Sequence, residues 1–216
     1  QIQDLTEDMA EAQGMPNNDG SIIADVTEDS PADKGGLQRG DIILSVNGQK
    51  VSDATTTTRL VGRLIANTSN KFDIMRGGKR QTINVVVGER GDNLSAQRIP
   101  ASALSEGSGE NADEATMDSL GVTFVPLDDE MRQRLGLDED EAGLVILEVE
   151  PGGAIEEAGL QRGMVILEAN NEPVSSVEVL KKAIDAAKKA NRTKVLIAVR
   201  VGQITTYRTI DISEDK

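Results

Sequence analysis

The chain carries one long sequence pattern twice. Gly20 to Ser52 reappears without a gap at Gly143 to Ser175, displaced by 123 positions. Gly36-Leu37-Gln38-Arg39-Gly40 returns letter for letter as Gly159-Leu160-Gln161-Arg162-Gly163. Ile43-Leu44, Asn47, Val51 and Ser52 return as Ile166-Leu167, Asn170, Val174 and Ser175. Upstream the match continues after a one-residue slip, pairing Leu5, Met9 and Gly14 with Leu127, Met131 and Gly136. Solenoid units repeat at about 20–50 residues, so a period this long describes whole domains. A chain of 216 residues holds two of them, each about 90 residues and large enough for its own core.

That core has to be aliphatic, because Phe72, Phe124 and Tyr207 are the only aromatic residues. There is then no aromatic platform on which bases or sugars could stack. With 23 basic against 37 acidic residues, the net charge of −14 repels nucleic acid and anionic lipid. Neither is expected as a partner. No apolar run reaches the roughly 18–20 residues of a membrane span, so no membrane insertion is expected. The chain has no cysteine and no histidine. That removes disulfides, thiolate and imidazole metal sites, and any Ser-His-Asp or Cys-His catalytic pair. No catalytic residue, metal ligand or cofactor site is therefore assigned. The acidic run Asp138-Glu139-Asp140-Glu141 fails the alternation of ligands that a calcium loop needs. No phosphate-binding Gly-x-x-x-x-Gly-Lys-[Ser/Thr] is present.

Within the first repeat, Ile2 opens a short extended segment and Thr6 to Ala12 reads as a helix with an acidic first turn. Ser21 to Val26 is rich in β-formers, and Ser30-Pro31-Ala32-Asp33-Lys34 is a capped helical turn with proline in its first position. Asp41 to Val46 predicts a buried strand that reverses at Asn47-Gly48, a strong hairpin signal. Thr55 to Ile65 has helical apolar spacing, and a last hairpin, Phe72 to Met75 with Thr82 to Val87, turns at Gly77-Gly78. The second repeat gives the same order: helix Leu127–Leu135, strand Gly143–Val149, helical turn Gly153–Ala158, strand Val165–Ala169, helix Val177–Ala190 and hairpin Val195–Val201 with Thr206–Ile212. We place the first domain at 1–90 and the second at 118–216. The Gly-, Ser-, Ala- and acid-rich stretch 91–117 is expected to be a flexible linker.

The run Asp29-Ser30-Pro31-Ala32, Gly36-Leu37-Gln38-Arg39-Gly40-Asp41 and Ile42-Ile43-Leu44-Ser45-Val46-Asn47-Gly48 resembles a bacterial PDZ domain. The second copy is looser, with Gly153-Ala154 for Ser-Pro, Met164 for the aspartate and Asn171 for the turn glycine. Two such domains in series look like the C-terminal half of the Do-type periplasmic serine proteases, the HtrA/DegP/DegQ family. The resemblance implies an α+β fold: two PDZ-like domains, each a small, partly open antiparallel β-barrel or sandwich with two short helices. It further implies a periplasmic protein acting in quality control and the stress response. The parent would be a trypsin-like serine endopeptidase built on trimers, whose catalytic domain lies outside this chain. Its partners would be extended or C-terminal hydrophobic peptides of unfolded proteins. The alternative from a different class is a non-proteolytic tandem PDZ scaffold of the envelope or secretion machinery.

Peptides join such domains as an extra strand on a sheet edge, beside a groove walled by a helix. The backbone N–H groups of an apolar-Gly-apolar loop ahead of the receiving strand can hold the terminal carboxylate. In the second repeat, Leu120-Gly121-Val122 precedes Thr123-Phe124-Val125, and Val177, Leu180, Lys181 and Ile184 lie along the wall helix. In the first repeat the receiving strand begins at Ile2 and Gln3, and the wall is Ala54, Thr57, Thr58 and Val61. The loop equivalent to Leu120-Gly121-Val122 would fall ahead of Gln1. Peptide binding is accordingly expected mainly on the second repeat, tempered by the negative charge of Asp118 beside its loop. Ile184→Glu is expected to remove that binding.

Overall fold

A computed structural model of the protein describes residues 1–88, 115–135, 137, 141–202 and 204–213. The chain divides into two compact units, Gln1–Ala96 and Gln97–Lys216, parting within the stretch expected to link the repeats. The first unit runs β1 (Ile2–Asp4), α1 (Glu7–Ala12), β2 (Ser21–Ile23), α2 (Pro31–Lys34), β3 (Ile42–Val46), β4 (Gln49–Lys50), α3 (Ala54–Val61), β5 (Ser69–Arg76) and β6 (Lys79–Val86). The second opens with β7 (Ala115–Met117), a 3-10 turn (Asp118–Leu120) and β8 (Val122–Pro126). It continues through α4 (Asp129–Leu135), β9 (Leu144–Val149), α5 (Ala154–Glu157), β10 (Val165–Ala169), β11 (Glu172–Pro173), α6 (Val177–Lys189), β12 (Lys194–Val201) and β13 (Ile204–Asp211).

All strand pairs are antiparallel. The first sheet has the order β1-β2-β3-β5-β6 with β4 beside β3; the second has β13-β12-β10-β9-β8-β7 with β11 beside β10. Among the described residues neither sheet closes on itself, and each unit shows three α-helices rather than the expected two. The expected α+β class with open antiparallel sheets holds. Registers show that the repeats are equivalent strand for strand. Ile2 lies opposite Ile23 as Phe124 lies opposite Ile146, which places the one-residue slip between the first strand and the second. Both copies also break register at the same place, after Ile43 and after Ile166.

The shared motif works as a fold determinant. Ser30 caps α2 by accepting the Asp33 N–H, and Pro31 occupies the first turn, where no N–H is needed. Gly36 then takes φ +82°, a left-handed conformation that ends the helix and that side chains resist. Leu37 follows into the core beside Ile43, Val46, Phe72 and Ile74. Asp41 is wholly buried and accepts from the Gln38 N–H at 2.9 Å. The fork of Arg76 grips the same carboxylate, Nε at 2.6 Å and Nη2 at 2.7 Å, while Nη2 also reaches the Gly36 carbonyl at 2.8 Å. The second copy has Met164 in place of Asp41. Because Met75 lies opposite Ile42 and Arg200 opposite Val165, the counterpart of Arg76 is Val201. Both members of the ion pair have therefore been exchanged for apolar residues.

Several element boundaries differ from expectation: the run expected to reach Val26 is a strand only to Ile23, and the last hairpin of the first unit is longer, Ser69–Arg76 with Lys79–Val86. The helix expected to reach Ile65 stops at Val61, where Gly62 caps it and Arg63 and Leu64 turn back with i→i−3 bonds. More consequentially, Ala115–Met117, the last residues of the expected linker, form β7 and pair with β8. The rest of that expected tether, and Asp138 to Asp140 of the acidic run, lie outside the described residues.

The start of α3 carries an acid-sensitive cap. Asp53 accepts the Ser52 hydroxyl at 2.6 Å and the Thr56 N–H at 2.6 Å, and these bonds hold its carboxyl below the usual range. Asp73 is lowered in the same way by the Ser45 and Thr82 hydroxyls, each at 2.7 Å. A carboxyl depressed in the folded state contributes stability above its unfolded value, about pH 4, and loses it as pH falls through the folded value. The first unit should therefore lose stability below about pH 4. Asp53→Asn, which keeps a capping oxygen but cannot titrate, should flatten part of that loss in thermal melts at pH 7 and pH 3. A melt with the same pH slope in the variant would remove Asp53 from this account.

Candidate peptide-binding site

In each unit one strand lies beside the wall helix, and the two units treat that strand differently. In the first it is β1, the end strand of its sheet. Gln1 accepts from the Ala24 N–H at 2.9 Å, so Gln1 and Gln3 direct their backbone groups inward to β2. By the alternation of an antiparallel pair, Ile2 and Asp4 direct theirs to the outer edge. The Asp4 carboxylate reaches across to the Ala54 N–H at 2.8 Å and ties the end of β1 to the start of α3. On α3, Ala54 and Val61 are half-buried and Thr58 is exposed, while Thr57 is buried with its hydroxyl 2.7 Å from that of Ser21. Thr57 is therefore a core contact. Ile2, Gln3, Ala54, Thr58 and Val61 remain partly accessible around the edge.

In the second unit the equivalent strand is β8, and it is not an edge. β9 pairs with one side and β7 with the other, with Ala115 opposite Phe124, Thr116 opposite Thr123 and Met117 opposite Val122. The loop ahead of β8 turns at Gly121. Gly121 adopts φ +63°, and its carbonyl accepts the Glu150 N–H at 2.8 Å. A Cβ on Gly121 would sit 3.0 Å from the Glu150 Cβ. The wall residues Val177, Leu180 and Ile184 are all buried, at 8, 0 and 8 % exposure, in one cluster with Leu120, Val122, Phe124 and Met117. Val125 is buried as well, and Lys181 points to solvent. The expectation of an open receiving edge on the second repeat is thus corrected: the edge is built, and the chain's own β7 lies on it. The Asp118 side chain lies outside the described residues.

Sequence reading missed two contributors. Asp4 carries no motif, and its role appears only once β1 and α3 are adjacent. In β7, apolar Ala115 and Met117 flank polar Thr116, but an alternation of three residues is too short to read without knowing its partner.

A PDZ domain model matches residues 10–87, and another PDZ domain model matches residues 113–199. Over 215 residues, all of this chain, the sequence is 29 % identical to a "Probable periplasmic serine endoprotease DegP-like" of Brucella suis, covering 39 % of that protein. A Pseudomonas fluorescens protein of the same description is 34 % identical over 216 residues, covering 99 % of this chain and 42 % of the relative. The chain thus spans about two fifths of the length of these curated relatives. Among solved structures it is similar to an HtrA-type protease with a decapeptide, at 30 % identity and a TM-score of 0.42, over 44 % of this chain and 29 % of that one. The matches over 10–87 and 113–199 fall on the two repeats, and this chain belongs to the PDZ-domain family, whose fold it carries twice.

Proposed function

We propose that this chain is the substrate-recognition and assembly region of a Do-type periplasmic serine endoprotease. Its substrates are hydrophobic C-termini or extended segments of unfolded proteins, its parent assembles from trimers, and its compartment is the periplasm. End-to-end similarity to DegP-like relatives supports the parent and the compartment. The observation that supports the recognition role is the placement of a strand beside a wall helix in both units, β1 with α3 and β8 with α6. Strand addition on β1 supplies ladder hydrogen bonds through Ile2 and Asp4, and alternate side chains of the peptide meet Ala54 and Val61. A domain division at 1–90, a linker over 91–117 and a second domain from 118 remains our reading of the organisation, with β7 added to the second domain.

The test is isothermal titration of the full chain with a hydrophobic peptide, which should bind, and Val61→Glu should weaken that binding at least tenfold, about 1.4 kcal/mol. Equal binding by the Val61→Glu chain would contradict the assignment of the groove to α3. Incubation with unfolded casein should leave the casein intact, since no histidine is available to activate a nucleophile.

A further inference from the structure

We propose that β7 is a built-in ligand: Ala115–Met117 occupies the receiving edge of the second unit in cis, and an incoming peptide engages that unit only by displacing it. The proposal rests on the recognition role above and adds a regulated step at the second unit.

Three observations point the same way. First, β7 runs antiparallel to β8 with its C-terminal residue, Met117, opposite Val122 at the Leu120-Gly121-Val122 loop. A strand-adding peptide that delivers its C-terminus to that loop would take the same course. Second, side chains alternate as a bound strand's would. Met117 is 2 % exposed, and Ala115 packs partly buried against the same core. Thr116 is exposed, its hydroxyl 3.3 Å from that of Thr123. Third, the wall beside β7 is covered: Val177 and Ile184 are each 8 % exposed and share one core cluster with Met117.

The seat is incomplete in a way that favours exchange. The chain continues from Met117 into a 3-10 turn, so β7 brings no terminal carboxylate to the loop. A peptide with a free C-terminus adds that charge. β7 competes only through its high local concentration. The apparent affinity of the second unit is then its intrinsic affinity scaled by the fraction of time β7 is away.

The experiment locks β7 and reads both domains at once. The chain contains no cysteine, so Thr116→Cys with Thr123→Cys introduces one unambiguous disulfide across the β7–β8 pair. The probe is the synthetic peptide Ala-Asp-Glu-Ala-Thr-Met with a free carboxylate, the sequence of 112–117 supplied in trans. In the reduced full chain, peptide should shift the amides of residues 123–125 and those of Ile2 and Gln3. Oxidation should weaken binding at 123–125 at least tenfold and leave the first unit unchanged. Met117→Gln, which weakens the seat without a cross-link, should tighten second-unit binding about tenfold over the unaltered chain, consistent with a larger released fraction. Equal binding at 123–125 in the oxidised and reduced forms would overturn the proposal. So would silence at 123–125 in both the reduced and the Met117→Gln chains while the first unit binds, because β7 would then be a fixed strand of the fold. Failure of peptide to bind either unit in any form would sink the recognition role itself, and this proposal with it.

Discussion

Arg76→Val should destabilise the first unit by about 3 kcal/mol, a large part of the stability of a domain this size. Asp41 is fully buried, and the substitution leaves its carboxylate with a single backbone N–H in place of the guanidinium fork. Removing one partner of a buried pair is costly because the other charge stays behind without compensation. Asp41→Met alone should cost less, because the Arg76 side chain is 28 % exposed and can be solvated where it stands. The double variant Asp41→Met with Arg76→Val should recover most of the loss. It installs the apolar residues that the second repeat carries at these two positions, Met164 and Val201. Amide exchange of β3 and β5 in the full chain reads the first unit separately. Additive losses in the double variant would show that the two positions are not coupled.

Ile184→Glu should unfold the second unit locally, at a cost of about 4 kcal/mol, instead of simply removing peptide binding. Sequence alone places Ile184 on an open groove wall, where a carboxylate would only block a ligand. In the structure Ile184 is 8 % exposed, in one cluster with Val177, Leu180, Val122 and Met117. A glutamate there is desolvated with no cation in the cluster. The equivalent change in the first unit, Val61→Glu, falls on a half-buried position and should cost far less stability while still blocking the groove. Thermal unfolding followed by Tyr207, which is buried in the second unit with its hydroxyl 3.1 Å from Glu168, gives the readout. An Ile184→Glu chain that melts like the unaltered one would show that the wall is open after all.

The fold was legible because its determinants are local and repeated. Ser30-Pro31, Gly36, Gly40 and Asn47-Gly48 each impose one backbone event, and each appears where expected with the φ it requires. The register of the repeats in the sequence is the register of the sheets, including the slip ahead of the second strand. The site was legible only in part. The Leu120-Gly121-Val122 loop and the wall positions of α3 and α6 follow from spacing, but their accessibility depends on what lies against them. β7 falls at the end of a Gly-, Ser- and acid-rich stretch, where three residues give no periodic signal. Its pairing with β8 is a short-range hairpin, but what selects it is the apolar face that Phe124 and Val122 offer to Ala115 and Met117. Asp41 accepts a backbone N–H as an aspartate in a turn commonly does, but its partner Arg76 stands 35 positions away and carries no mark in the sequence.

The most direct measurement of the central claim is a backbone NMR titration of the unaltered full chain with a hydrophobic, free-carboxylate peptide at substoichiometric to saturating ratios. The earliest and largest shifts should fall at Ile2, Gln3, Ala54 and Val61, with Thr123, Phe124 and Val125 responding only at higher peptide, as β7 gives way. Shifts that begin at Thr123 to Val125 while Ile2 and Val61 stay silent would contradict that claim.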